Sequence, residues 1–120
     1  MRIFGLGINI VEKERFQIVS RNGVAPFLDY SFTTEEKKYL ETSQDKVEAS
    51  STLFAIKEAF IKAASGHINL RDIKKINIKS INNKYSITYE ENDFLKNKQC
   101  WITTNVFPDY TIASVTIVTA

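Results

Sequence analysis

The chain has 120 residues, a formal net charge of +2 and a composition 43% hydrophobic and 25% charged. That suffices for one domain around one core and is too weakly basic to argue for nucleic acid. No apolar run approaches the ~20 residues of a membrane span, no signal-peptide pattern opens the chain, and the single Cys100 permits neither an internal disulfide nor a zinc framework, which fits a reducing, cytoplasmic setting.

The first predicted element is a strand over residues 3–11, apolar except for Asn9 and its glycines. Side chains alternate across a strand. Phe4, Leu6, Ile8 and Ile10 therefore share one face, while Ile3, Gly5, Gly7, Asn9 and Val11 share the other. Two glycines strip that second face and lead to a lone amide. A short helix is expected from Glu12 to Arg21, stopped by Asn22-Gly23, with a loop over 24–32 that contains Pro26. Thr33 with Glu36 reads as a capping box for a short helix ending near Thr42.

The strongest helical pattern follows. Residues 46–64 hold no Gly or Pro. Val47, Phe54, Ile61 and Ala64 repeat at helical spacing, widened by Ala55, Ala59, Phe60 and Ala63. Gly66 stands where a stop belongs. Strand patterns then run through Ile73, Ile76, Ile78 and Ile81. A tight turn is expected at Asn82-Asn83, with alternating Tyr85, Ile87 and Tyr89 after it. A short polar helix is expected over 92–98, then strands over 101–104 and 111–118, with Trp101 and the tyrosines as core and sheet residues. The basic run Arg71, Lys74, Lys75, Lys79 and Lys84 reads as a solvated face. The whole is α+β: a mostly antiparallel sheet packed by one long helix, in one domain over 1–120.

Chemistry, if present, lies on FAIKEAFIKAASG, residues 54–66. Glu58 and Lys62 are four apart and share a face, whereas Lys57 is turned about 100° away. Spacing alone gives an i,i+4 ion pair on the surface. The functional alternative is a carboxylate for a hard cation beside an ammonium for a phosphate. His67, at the helix end, would ordinarily meet the last carbonyls and the helix dipole, or else contact a phosphate.

Two stretches together resemble one family. GLGINIVEKERF (5–16) resembles the opening motif GxGxDIVExxR of the holo-acyl-carrier-protein synthases. LFAIKEAFIKA (53–63) resembles their second motif, RFAxKEAxxKA. These small phosphopantetheinyl transferases move the 4′-phosphopantetheine arm of coenzyme A onto a serine of an acyl carrier protein and release 3′,5′-ADP. The resemblance implies Mg²⁺ on the pyrophosphate, held at the positions of Asn9 and Glu58. It implies a catalytic role for Glu58 and Lys62, and coenzyme A contacts from Lys62, Ser65, Gly66 and His67. Arg15 and Arg21 would meet the carrier protein. Assembly as a homotrimer, or a mixed assembly with a homologue, follows from the same resemblance, with neither nucleic acid nor membrane as partner.

Four places depart from the family pattern. Asn9 replaces the metal-binding aspartate with an uncharged amide. Leu53 stands where an arginine meets the nucleotide phosphate. Ser65-Gly66-His67 replaces a Gly-Thr-Gly loop, and Asn105 falls near the place of a histidine. The resemblance implies an active, Mg²⁺-dependent transferase. The departures leave open a catalytically degenerate homologue that binds a carrier protein or partner subunit without turnover. A nucleotide or RNA binder using residues 71–84 is the weakest reading, because no aromatic residues are clearly interleaved with those charges.

Overall fold

A computed structural model describes residues 1–17 and 29–120. Strand β1 (Arg2–Glu12) leads into a 3-10 turn, Lys13–Phe16. Helices α1 (Thr34–Thr42) and α2 (Lys46–Ala63) follow. After a 3-10 turn at Leu70–Lys75 come β2 (Ile76–Ile81), β3 (Lys84–Tyr89), β4 (Lys98–Val106) and β5 (Tyr110–Thr119). The remainder of the expected helix to Arg21, its Asn22-Gly23 stop and most of the Pro26 loop lie outside the described residues.

The expected α+β architecture is present, divided into two antiparallel sheets. One is ordered β1-β5-β4; the other is the β2-β3 hairpin. The capping box forms as read: Thr33 Oγ1 accepts the Glu36 N–H at 3.1 Å, and Glu36 Oε1 accepts the Thr33 N–H at 2.8 Å. Asp45 caps α2 through the Glu48 N–H at 2.9 Å. Asn82 and Asn83 take φ of 53° and 63°, the conformation that a tight hairpin turn requires.

Helix α2 is buried nearly all round because it has partners on two sides. It lies across the inner face of the three-stranded sheet, where Val11, Ala113, Val115 and Ile117 join Ala55, Ala59, Phe60 and Ala63 in the core. The glycines decide how close it comes. A Cβ on Gly5 would sit 1.9 Å from the Ala63 carbonyl oxygen, and one on Gly7 would sit 1.9 Å from that of Ala59. Two strand residues advance about 6.6 Å, while one turn from Ala59 to Ala63 advances about 6 Å. The two repeats nearly match, so both glycines meet backbone.

The structure revises several expectations. Phe4 does not share the face of Leu6. The β1–β5 register slips between Ile3 and Gly5, and the Phe4 ring packs 5.4 Å from Phe94 and 5.5 Å from His67. Ile73 belongs to the 3-10 turn, not a strand. Residues 92–97 form turns instead of a helix, with Asn97 at φ 63° before β4. Trp101 is 50% exposed, on the outer sheet face rather than in the core. The basic residues at 71–84 are exposed, with Lys75 3.8 Å from Asp72 and 3.7 Å from Glu91. Among the described residues no helix is long and apolar enough to cross a membrane.

Cys100 pairs with Ile117 on the inner face, and burial pushes its thiol up to about 11. At pH 8 only about a thousandth is then thiolate. Ellman's reagent should react slowly with the folded chain and rapidly once it is unfolded in denaturant. A fast reaction in native buffer would contradict this burial.

Candidate functional site

Asn9 is the next inward residue after Gly5 and Gly7, so the strand that carries α2 against its backbone also carries the amide to the helix. Its Nδ2 donates to Glu58 Oε1 at 2.8 Å. Its Oδ1 accepts from Lys62 Nζ at 2.9 Å, and the same ammonium donates to the Ile8 carbonyl at 3.0 Å. Because β1 is an edge strand, the Ile8 carbonyl can accept a bond from outside the sheet. Glu58 and Lys62 do share a helix face, but Asn9 stands between them instead of a direct surface pair. The residues expected to be catalytic, Glu58 and Lys62, and the expected metal ligand Asn9 thus converge. The Ile8 contact carried no sequence signal, since any residue supplies a carbonyl.

Glu58 is half-buried and Lys62 exposed. The other Glu58 carboxylate oxygen has no hydrogen-bond partner among the described residues. Lys62 spends two of its three N–H donors on Ile8 and Asn9, leaving one for an incoming anion.

The arrangement does not fit a Mg²⁺ ion shared by residues 9 and 58. Asn9 was expected to offer its amide oxygen as a ligand. That oxygen is turned to Lys62, and an N–H faces Glu58 instead. Among the described residues no group of three or more His, Cys, Asp or Glu side chains gathers to hold a metal.

The loop after α2 is exposed at the end of the helix, where it meets the start of β1. Ser65 and Gly66 take φ of 52° and 90°. The Ser65 N–H bonds the Lys62 carbonyl, and the His67 N–H bonds that of Ala64. The His67 ring stacks 5.3 Å from Phe94 and leans on Phe4, so its side chain serves an aromatic cluster instead of the last helix carbonyls. Leu53, at the departing arginine position, is 1% exposed and part of the core. Arg15 is exposed, its guanidinium 5.6 Å from the centre of the Phe54 ring. Arg21 lies outside the described residues.

Lys57, next to Glu58, serves a different purpose. It is wholly buried 2.6 Å from Glu36 Oε1, and it donates to the Ser31 carbonyl at 2.7 Å and the Ile73 carbonyl at 3.1 Å. Burial pulls its ammonium below the usual lysine value, with Glu36 opposing that pull. The sequence did carry a signal for this burial. Its helical neighbours at i±3 and i±4 are Phe54, Phe60, Leu53 and Ile61, all apolar.

Comparison with known proteins places the chain in a family. The chain is 34% identical over 61 residues to a holo-[acyl-carrier-protein] synthase of Geobacter sp. (strain M21), a match covering 51% of this chain and 49% of that protein. It is 40% identical over 63 residues to one from Caldicellulosiruptor saccharolyticus, covering 52% of this chain and 50% of that protein. The chain therefore spans about half the length of the curated relatives it matches. The fold is similar to that of a holo-(acyl-carrier-protein) synthase from Bacillus anthracis solved in complex with CoA (3′,5′-ADP). Its TM-score is 0.81 at 18% identity, over 100% of both chains. Residues 5–115, which include both glycines, Asn9, Glu58 and Lys62, match the family model of the 4′-phosphopantetheinyl transferase superfamily, and the chain belongs to that superfamily.

Proposed function

We propose that this chain transfers the 4′-phosphopantetheine arm of coenzyme A to a serine of an acyl carrier protein. The observation that carries the reading is the convergence of Glu58 and Lys62 on Asn9. The serine oxygen attacks the phosphorus that bears the pantetheine arm. A new P–O bond forms as the bond to the bridging oxygen breaks, and 3′,5′-ADP leaves. The free Glu58 oxygen accepts the serine proton. The remaining Lys62 N–H meets the departing phosphate and neutralises its growing charge. Ser65, Gly66 and His67 border the same end of the helix and would hold the nucleotide portion. Arg15 and Arg21 would draw in the acidic carrier.

The outer face of the three-stranded sheet supports self-association. Leu6, Ile8 and Ile10 are 59%, 54% and 61% exposed along β1, and the register sets Leu6 in line with Trp101 across Thr116 of β5. Monomers rarely expose so continuous an apolar row. A homotrimer or a mixed assembly with a homologue would cover it. A homologue that binds without turnover is the second reading, and the burial of Leu53 at the arginine position favours it.

Calorimetry with coenzyme A tests the substrate. The wild type should bind, and Lys62→Ala should bind about tenfold more weakly, having lost one charge-assisted contact. Glu58→Gln should bind normally but transfer at least about a hundredfold more slowly. No heat with coenzyme A would remove the transferase reading.

A further inference from the structure

We infer that the Asn9 carboxamide does the bridging work of a divalent cation, so that the resting site is neutral and holds no metal between residues 9 and 58. The orientation of the amide follows from its neighbours. The Lys62 ammonium can only donate, and the Glu58 carboxylate can only accept. An amide carries one group of each kind, and it satisfies both neighbours only with Oδ1 toward Lys62 and Nδ2 toward Glu58. Those contacts measure 2.9 and 2.8 Å. Turning the amide over would set its N–H groups against an ammonium and its oxygen against a carboxylate, with both bonds lost.

The same geometry shows what a carboxylate at position 9 would require. It would still accept from Lys62, but its second oxygen would lie against Glu58 Oε1. Two carboxylates that close need a cation or a proton between them. In this chain an amide hydrogen occupies that position. One positive lysine and one negative glutamate then balance across a neutral bridge, and β1 is tied to α2 without a metal. A cation entering between residues 9 and 58 would have to break the Asn9–Glu58 bond. It would also sit close to the Lys62 ammonium, which is 2.9 Å from Asn9 Oδ1. The position that looks like a weakened metal ligand is thus a positioning residue, holding Glu58 and Lys62 at fixed separation before substrate arrives.

The test is a Mn²⁺ titration of the full chain followed by electron paramagnetic resonance of the free ion, with thermal melts in the presence and absence of Mg²⁺. The wild type should leave millimolar Mn²⁺ free, and its melting temperature should not respond to Mg²⁺. Asn9→Asp should hold Mn²⁺ about tenfold more tightly or better. It should melt lower than the wild type without metal and recover when Mg²⁺ is added. Equal retention by the wild type and Asn9→Asp would overturn the inference. Glu58→Gln covers the case in which Asn9→Asp does not fold. The wild type and Glu58→Gln should then leave the same free Mn²⁺, and retention by the wild type that Glu58→Gln abolishes would equally overturn it. The inference deepens the transferase reading and rests on it for the identity of the reaction. Because the titration contains no coenzyme A, a failure of coenzyme A to bind would undo that reading and leave the metal result standing.

Discussion

Gly7→Ala should destabilise the chain by about 3 kcal/mol or more, at the upper end of what overpacking costs. The new Cβ would lie 1.9 Å from the Ala59 carbonyl oxygen and 2.8 Å from the Ala63 nitrogen. Both are backbone atoms of a helix buried on two sides, so no side-chain rotation relieves the contact. Helix α2 would have to retreat by ~1.5 Å to restore ordinary van der Waals spacing. Asn9 lies two residues along the same strand face, and a retreat of that size would pull apart its 2.8 Å bond to Glu58. Stability and site geometry should therefore fail together. Urea unfolding followed by circular dichroism measures the first, and coenzyme A calorimetry on the folded fraction measures the second. An unchanged urea midpoint would show that the strand and helix are not in backbone contact.

Lys57→Met should cost about 3–5 kcal/mol, the range for leaving one partner of a buried ion pair uncompensated. The methionine keeps the length of the stem and removes the charge. Glu36 is only 1% exposed and would be left without its ammonium. Its carboxylate does more than face Lys57. Oε1 closes the α1 capping box, and Oε2 accepts the Ile78 N–H at 2.7 Å. The pair thus ties the start of α1 to the middle of α2 and to β2. Adding Glu36→Gln to Lys57→Met removes the stranded charge at the cost of one acceptor, because both Glu36 oxygens accept backbone N–H groups and the amide offers a single oxygen. The double variant should be more stable than Lys57→Met alone. If it is less stable, the penalty is not that of an uncompensated charge.

Local features were legible in the sequence because each has a local cause. Helix α2 follows from an uninterrupted run without Gly or Pro. The α1 start follows from Thr33 and Glu36, and the hairpin turn from two residues that tolerate positive φ. The convergence of Glu58 and Lys62 with Asn9 was legible through motif resemblance. What escaped depends on distant partners. Nothing near Phe4 announces a register slip, which is settled by pairing with β5 at the other end of the chain. The apolar neighbours of Lys57 on α2 signal its burial, but its pairing escaped because Glu36 sits on another helix, at a capping position that is usually solvated. The hydrogen-bonding sense of Asn9 could not be read from residue types, because it depends on having an acceptor on one side and a donor on the other.

These particulars give the site a consistent physical character. Glycines bring strand and helix backbones together, the amide fixes a carboxylate and an ammonium at that seam, and among the described residues each of the two keeps one unused hydrogen-bonding position. The most direct test is to incubate the full chain with coenzyme A, an apo acyl carrier protein and Mg²⁺, and to weigh the carrier by mass spectrometry. Transfer should leave a carrier bearing the phosphopantetheine arm, with matching release of 3′,5′-ADP, and Glu58→Gln should lose both products. An unmodified carrier in the presence of folded chain and bound coenzyme A would contradict it.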